Sequence, residues 1–225
     1  MKTLVIATRN EHKVSEIQTI LNGRFQCVGL RQWGSQVPEP IEDQKTFSGN
    51  AAKKAIAVAT WFSSQPVIVE QLGGAGRVGV LADDSGLEVD ILGGAPGVHS
   101  ARFAALDDPT RSGNSPDAEN NAKLLKLLAD VPTERRTARF RCSLAWIPSL
   151  ASIHDSQSTP LFYDGVCEGR IAERPSGGAG FGYDPLFLPA GQTLSFAELG
   201  AEFKNGMSHR AKALAAFCAA LAMTR

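Results

Sequence analysis

The chain carries no net charge: 23 Lys and Arg balance 23 Asp and Glu. That argues against a protein held on nucleic acid or anionic lipid by its overall field. An anionic small substrate stays compatible, provided positive charge is gathered locally. A cysteine cluster is also missing. Cys27, Cys142, Cys167 and Cys218 lie far apart with no CxxC or Cys/His grouping, so neither zinc nor a disulfide scaffold is indicated, and scattered, reduced, partly buried thiols are expected. Long apolar runs are absent too. Leu4 to Ala7 is too short for a signal-peptide core, and Ala213 to Met223 falls well below the ~20 residues needed to span a bilayer. A soluble, cytoplasmic protein with no membrane or nucleic-acid partner is the expectation. No repeat, low-complexity tract or long linker divides the chain.

What is present reads as globular: 225 residues, 43% apolar and 20% charged, enough for one two-lobed domain or two small ones. Leu4 to Ala7 reads as a buried strand running into Thr8-Arg9-Asn10, with Asn10 as the N-cap of an amphipathic helix marked by Val14, Ile17 and Leu21. Val37 to Asp43, acidic and with two prolines, reads as a loop, and Gly49 to Phe62 as a helix. Pro66–Glu70 and Val78–Ala82 are strand candidates separated by a flexible Gly73–Gly76 loop, and Gly93 to Gly97 is rich in turn residues. Ser115-Pro116 suggests the N-cap and first position of a helix through Leu124, Leu125 and Leu128. Thr137 to Trp146 alternates, with Ala138, Phe140, Cys142, Leu144 and Trp146 on one side. Leu161–Cys167 and Gly169–Ala172 suggest a strand pair after a polar, mobile connection at 149–159. A final helix from about Ser208 aligns Ala211, Leu214, Ala215, Cys218, Leu221 and Ala222. The sum is a single α/β domain over 1–225, a mixed central sheet flanked by helices and folded as two lobes.

The densest chemical signal is Asp83-Asp84-Ser85-Gly86 directly after an apolar strand, at the sheet end where α/β sites form. Adjacent residues on extended backbone point opposite ways. One carboxylate therefore faces a cavity, and the other is held by backbone or turn hydrogen bonds. A carboxylate facing phosphates suits Mg²⁺ or the proton of an attacking water, although the tetrapeptide is also ordinary turn chemistry. Thr8 to Lys13 opens a helix, whose free N–H groups form a ready anion site that Lys13 can reach. Asn50 and Lys54, four apart, share a helix face, and Glu39, Glu42 and Asp43 are possible further metal ligands. Phe181 and Tyr183 sit on a glycine-rich loop suited to stacking on a base, with structural packing as the competing account. Lys204, His209 and Arg210 surround a helix start capped by Ser208, an arrangement suited to an anionic or carbonyl-bearing partner. For His12, His99 and His154 exposed or locally bonded side chains are the simpler account, and Gly73–Gly76 lacks the GxGxxG spacing of a dinucleotide site.

In order, Ala7–Lys13, Thr46–Ala55, Ala82–Asp90, Gly93–Arg102, Gly180–Phe187 and Lys204–Arg210 resemble the inosine triphosphatase or Ham1-like family of noncanonical purine nucleoside triphosphate pyrophosphatases. The likeness runs from Thr3 to about Leu221. It implies a Mg²⁺-dependent homodimer with an elongated α/β fold and a cleft between two lobes. The implied activity is hydrolysis of ITP, dITP and XTP to the monophosphate and pyrophosphate, which cleanses the nucleotide pool. Carried over, Asp84 matches the catalytic carboxylate and metal ligand, and Glu42 a second metal ligand. Thr8, Arg9, Asn10, Glu11, His12, Lys13, Asn50 and Lys54 match triphosphate contacts, and Ser85 a substrate contact. Phe181, Gly182, Tyr183, Asp184, Lys204, His209 and Arg210 match base-recognition and closing elements.

The resemblance has departures. Arg9 stands where many members have glycine, Gly49 replaces an acidic residue, His99 replaces a usual tyrosine, and Gln71–Val80 is longer than usual. The implied chemistry has Mg²⁺ on Asp84 and Glu42 beside the α-phosphate, Asp84 or a metal-bound hydroxide accepting the water's proton, and pyrophosphate leaving against Lys13 and Lys54. Donors reading a 6-oxo group, together with exclusion of an exocyclic amine, would supply selectivity. A pyrophosphatase for another modified nucleotide and a non-hydrolysing nucleotide sensor are the alternatives.

Overall fold

A computed structural model describes residues 1–108, 110–153 and 159–223. Six strands form one sheet in the order β2-β1-β3-β4-β5-β6. They are β1 (Thr3–Ile6), β2 (Gln26–Gly29), β3 (Val78–Val89), β4 (Thr137–Ile147), β5 (Leu161–Ile171) and β6 (Phe187–Pro189). β1 is parallel to both β2 and β3, while β5 and β6 are antiparallel, so the sheet is mixed as expected. The helices are α1 (Glu11–Leu21), α2 (Phe47–Ser63), α3 (Pro66–Gln71), α4 (Asp117–Leu127), α5 (Phe196–Met207) and α6 (His209–Met223). Among the described residues no helix is long and apolar enough to cross a membrane. All four cysteines are free thiols, with Cys142 and Cys167 buried.

The chain divides into two compact units. The first comprises Met1–Asp84, Ser143–Asp164 and Ala213–Arg225; the second comprises Ser85–Cys142 and Gly165–Lys212. In the first unit β1 places Leu4, Val5 and Ile6 fully out of solvent. The chain then turns through Thr8 to Asn10, whose side chain accepts the His12 and Lys13 amides and starts α1. Val14, Ile17 and Leu21 form the buried stripe of α1, and Asn22 in the left-handed region ends it. Thr46 caps α2, whose Ala51, Ala55, Val58, Ala59 and Phe62 pack with Val5, Val78 and Val80 in one core. A second cluster gathers Phe25, Trp146, Tyr163 and Phe217. Gly79 in β3 lies beneath Trp146: a Cβ there would sit 2.2 Å from the indole Cη2.

The second unit has its own core of Leu87, Val89, Leu124, Phe140, Tyr183, Phe187 and Phe196, among others. A capping box at Ser195 and Glu198 begins α5. Arg136 is buried, and its guanidinium donates to the Leu128, Val131 and Ala172 carbonyls, which satisfies the C-terminal end of α4.

Several elements differ from expectation. Pro66–Glu70 is a helix, α3: Pro66 occupies its first turn, where a missing N–H costs nothing, and this overrides the β-branched run. Asp83-Asp84-Ser85-Gly86 is no turn and does not follow the strand; it lies inside β3, which continues to Val89. Leu161–Cys167 and Gly169–Ala172 are not a pair: one strand, β5, runs unbroken from Leu161 to Ile171, and its Gly169 lets β6 approach so closely that a Cβ would meet the Leu188 carbonyl at 2.4 Å. α4 begins at Asp117 with Pro116 at the cap position, while the Ser115 hydroxyl accepts the Ala105 amide instead. The buried stripe of α6 uses Ala213, Leu214 and Phe217, whereas Ala215 and Ala222 are exposed. Gly73 to Gly76 forms a hydrogen-bonded turn closed by Arg77 N–H on the Gly74 carbonyl. β4 alternates only to Cys142; beyond it both faces are buried. Of the 149–159 connection, Leu150–Ser152 forms a single helical turn capped by Ser149, while 154–158, with His154, lie outside the described residues.

Replacing Gly79 by Ala forces the Trp146 ring from its seat, and urea unfolding is expected to show a loss of ~1–3 kcal/mol, the usual cost of overpacking.

Candidate functional site

β3 brings its two carboxylates to opposite faces, as extended backbone requires, and each meets a different lysine. Asp83 receives Lys13 from the first turn of α1, with Nζ to Oδ1 at 2.5 Å. Asp83 is thus paired with a cation. Asp84 receives Lys54 from α2, with Nζ to Oδ1 at 2.8 Å. The same ammonium donates to Glu42 Oε1 at 2.9 Å and to the Asp83 carbonyl at 2.8 Å, so all three of its protons are used. Asn50, one helical turn before Lys54, donates to Asp84 Oδ2 at 3.2 Å and accepts the Gln44 amide at 3.0 Å. One buried amide thereby ties the acidic loop to the strand.

Burial pushes the Asp84 carboxyl above its usual range, against the Lys54 and Lys13 charges, with Glu42 adding to the rise. Burial alone would lower Lys54, but the Asp84 and Glu42 carboxylates hold its ammonium above the ordinary lysine value.

The other expected residues of this unit occupy the rim. The Thr8 hydroxyl accepts the Asn10 amide, and Glu11 and His12 are exposed on the first turn of α1. Arg9 turns toward the acidic loop, pairing with Glu39 and donating to the Gly34 and Val37 carbonyls. Asp43 is engaged by Lys53 at 2.9 Å, which lowers its pKa chiefly through that hydrogen bond. Glu42 is therefore the loop acid that reaches Asp84's lysine, while Glu39 and Asp43 face other cations. At Gly49 a Cβ would meet Gln44 Cβ at 2.9 Å and the capping Thr46 hydroxyl at 3.0 Å. The tight cap of α2 thus accounts for glycine at that position.

Among the described residues no group of three or more His, Cys, Asp or Glu side chains is disposed to hold a metal. Two hard carboxylates sharing one cation suit a divalent ion that completes its shell with water and phosphate oxygens.

The second unit assembles another set. Lys204 on α5 pairs with Asp184 at 2.7 Å, their side chains only 5% and 2% exposed. Its ammonium lies 4.5 Å from the centre of the Phe181 ring, a cation–π contact, and Asp184 also accepts the Phe181 amide at 2.9 Å. Arg210 is buried and donates to the Ser85 hydroxyl at 3.0 Å. His209 stacks on Phe140 with centroids 4.8 Å apart, and the Tyr183 hydroxyl donates to the Ser100 carbonyl. Burial, with Asp117 nearby, pushes the Tyr183 phenol well up. Ser208 caps α6 through the Ala211 amide, as expected.

Sequence reasoning missed the clasp on Gly182. Asp117 on α4 accepts its amide at 2.6 Å, and Asn121, one turn on, donates to its carbonyl at 3.0 Å. The only sequence signal was their four-residue spacing. The Arg9 contacts were equally invisible, because two of their three acceptors are backbone carbonyls.

A family model described as the Ham1 family matches residues 4–220. The chain is 42% identical over 216 residues to a Shouchella clausii protein named dITP/XTP pyrophosphatase, covering 96% of this chain and 94% of that one. It is 46% identical over 213 residues to a Nitratidesulfovibrio vulgaris protein of the same name, covering 94% and 92%. Among solved structures, a HAM1 protein from Coxiella burnetii superposes with a TM-score of 0.77 at 32% identity, covering 99% of this chain and 100% of that one.

Replacing Lys204 by Met should cost ~3–5 kcal/mol in urea unfolding, the usual consequence of stranding a buried carboxylate. Adding Asp184→Asn should recover most of that loss, and a double-mutant cycle measures the coupling.

Proposed function

The chain belongs to the Ham1 family, and from that premise we propose that it is a nucleoside-triphosphate pyrophosphatase. It cleaves noncanonical purine nucleoside triphosphates (ITP, dITP and XTP) to the monophosphate and pyrophosphate. The observation that carries the reading is the convergence of Asp84 and Glu42 on one buried lysine, beside a second lysine at a helix N-terminus.

Asp84 and Glu42 are the residues that would hold Mg²⁺, which when bound offsets negative charge on the phosphate oxygens and favours attack at phosphorus. The chain's own groups do the rest. Asp84 accepts the proton of the attacking water. Lys13 and Lys54 supply positive charge to the departing pyrophosphate, and the positive end of the α1 dipole adds to it. Asn50 holds Asp84 in orientation through its amide. Asp83 fixes Lys13, so the pair sets where that cation stands.

The second unit recognises the base. The Phe181 ring offers a stacking surface, and Lys204 and Arg210 offer donors to a purine 6-oxo group. A site built to hydrogen-bond that oxygen rejects adenine, which has an amine there, by ~10⁴ or more, and guanine, which keeps the oxygen, is turned away by exclusion of its exocyclic 2-amine. Asp184 orients Lys204, Tyr183 anchors the loop through its hydroxyl on the Ser100 carbonyl, and His209 is seated against Phe140. In this reading the protein is cytoplasmic and acts as a homodimer, the second as the family resemblance implies.

Pyrophosphate release should be fast from ITP, dITP and XTP and slow from ATP, GTP and dTTP. Asp84→Asn should lower turnover by ~10² or more with an unchanged circular dichroism spectrum. Preference for dTTP would reassign the substrate, and no release from any nucleotide would overturn hydrolysis altogether.

A further inference from the structure

The loop that carries Glu42 has few anchors of its own. Val37 is buried in the core of the first unit, but the next residues project outward, with Ile41 77% exposed and Glu39 also exposed. At its far end the loop is tied by the Gln44 amide on Asn50 and by Lys53 on Asp43. At its near end the chain folds through the short helical segment Arg31–Gln36, broken by Gly34 at φ 52°.

Arg9 reaches this segment. From the turn between β1 and α1 its Nη2 donates to the Gly34 carbonyl at 3.0 Å and to the Val37 carbonyl at 2.7 Å, while Nη1 pairs with Glu39 Oε2. The Leu30 amide on the Thr8 carbonyl, at 3.2 Å, ties the same two segments one step earlier. A planar guanidinium can satisfy two carbonyls and a carboxylate at once, which an ammonium on a flexible stem cannot do with fixed geometry.

We propose that Arg9 is a positioning residue for the divalent-cation pair: it pins the 34–39 backbone so that Glu42 arrives at Lys54 and Asp84. This rests on the reading of Asp84 and Glu42 as metal ligands, and it moves Arg9 from the phosphate contacts to the support of the metal. The Glu39 pair is solvent-exposed and contributes little alone, so the two carbonyl contacts carry the effect.

The probe is Mn²⁺ alone, titrated onto the nucleotide-free protein and followed by electron paramagnetic resonance. Arg9→Gln should weaken Mn²⁺ binding ~10-fold, the usual scale for losing an outer-shell support. Amide hydrogen exchange across 37–43 should quicken while α1 and α2 keep their rates. Arg9→Lys should recover part of the affinity, and Glu39→Gln should change it less than about fivefold.

Wild-type Mn²⁺ affinity in Arg9→Gln, with only the nucleotide KM raised, would overturn the proposal and return Arg9 to the phosphates. Should Arg9→Gln fail to fold, Arg9→Lys decides: weakened binding supports the proposal and parental affinity overturns it. Asp84→Asn separates the two levels. If it leaves Mn²⁺ affinity unchanged, the metal-pair reading itself falls; if it abolishes binding while Arg9→Gln does not weaken it, only the Arg9 proposal falls.

Discussion

The first unit turns on a single ammonium. Lys54 lies among Glu42, Asp84 and the Asp83 carbonyl, with every proton assigned. A cation in that place is what allows two carboxylates to remain close in surroundings that exclude most water. Burial would otherwise drive Asp84 toward its neutral form, and Glu42 would add to the pressure. The loop, the strand and α2 therefore meet at one charge. Asn50 makes the arrangement directional, since its amide bonds the loop backbone with one end and Asp84 with the other.

The second unit repeats the strategy with an aromatic wall. Lys204 and Asp184 are as buried as core residues, and Phe181 covers the ammonium. Beneath the loop, Asp117 and Asn121 grip both polar groups of the Gly182 peptide. A glycine-rich segment is thus given a fixed shape by side chains outside it. Such preorganisation suits recognition, because little order remains to be acquired when a ligand arrives.

Much of this was legible in the sequence, and the divisions have physical reasons. Asn10 as cap, the Val14, Ile17 and Leu21 stripe, and the opposition of Asp83 and Asp84 follow from local rules of backbone geometry, and the structure repeats them. Pro66–Glu70 misled because β-branched composition speaks for a strand while proline in a first turn speaks for a helix, and local context chose the second. The strand around Asp83–Gly86 was hidden because turn-forming residues were placed in a buried ladder by their neighbours. In α6 the apparent alanine stripe lost to Phe217, whose ring finds Phe25 and Trp146. Partners far apart in sequence, such as Lys13 with Asp83 or Asp117 with Gly182, are set by the tertiary fold and leave no mark on spacing.

The position of the two acids on opposite faces of β3 limits how the gene can vary in length. Dropping or adding one codon between Val78 and Ala82 would exchange the faces, turning Asp83 to the Lys54 side and Asp84 to the Lys13 side while moving every apolar neighbour onto the opposite buried face. Upstream, the turn at Gly73–Arg77 lies outside the ladder, and there extra residues alter only the connection. Indels in descendants of this chain should therefore collect before Val78 and stop at the strand.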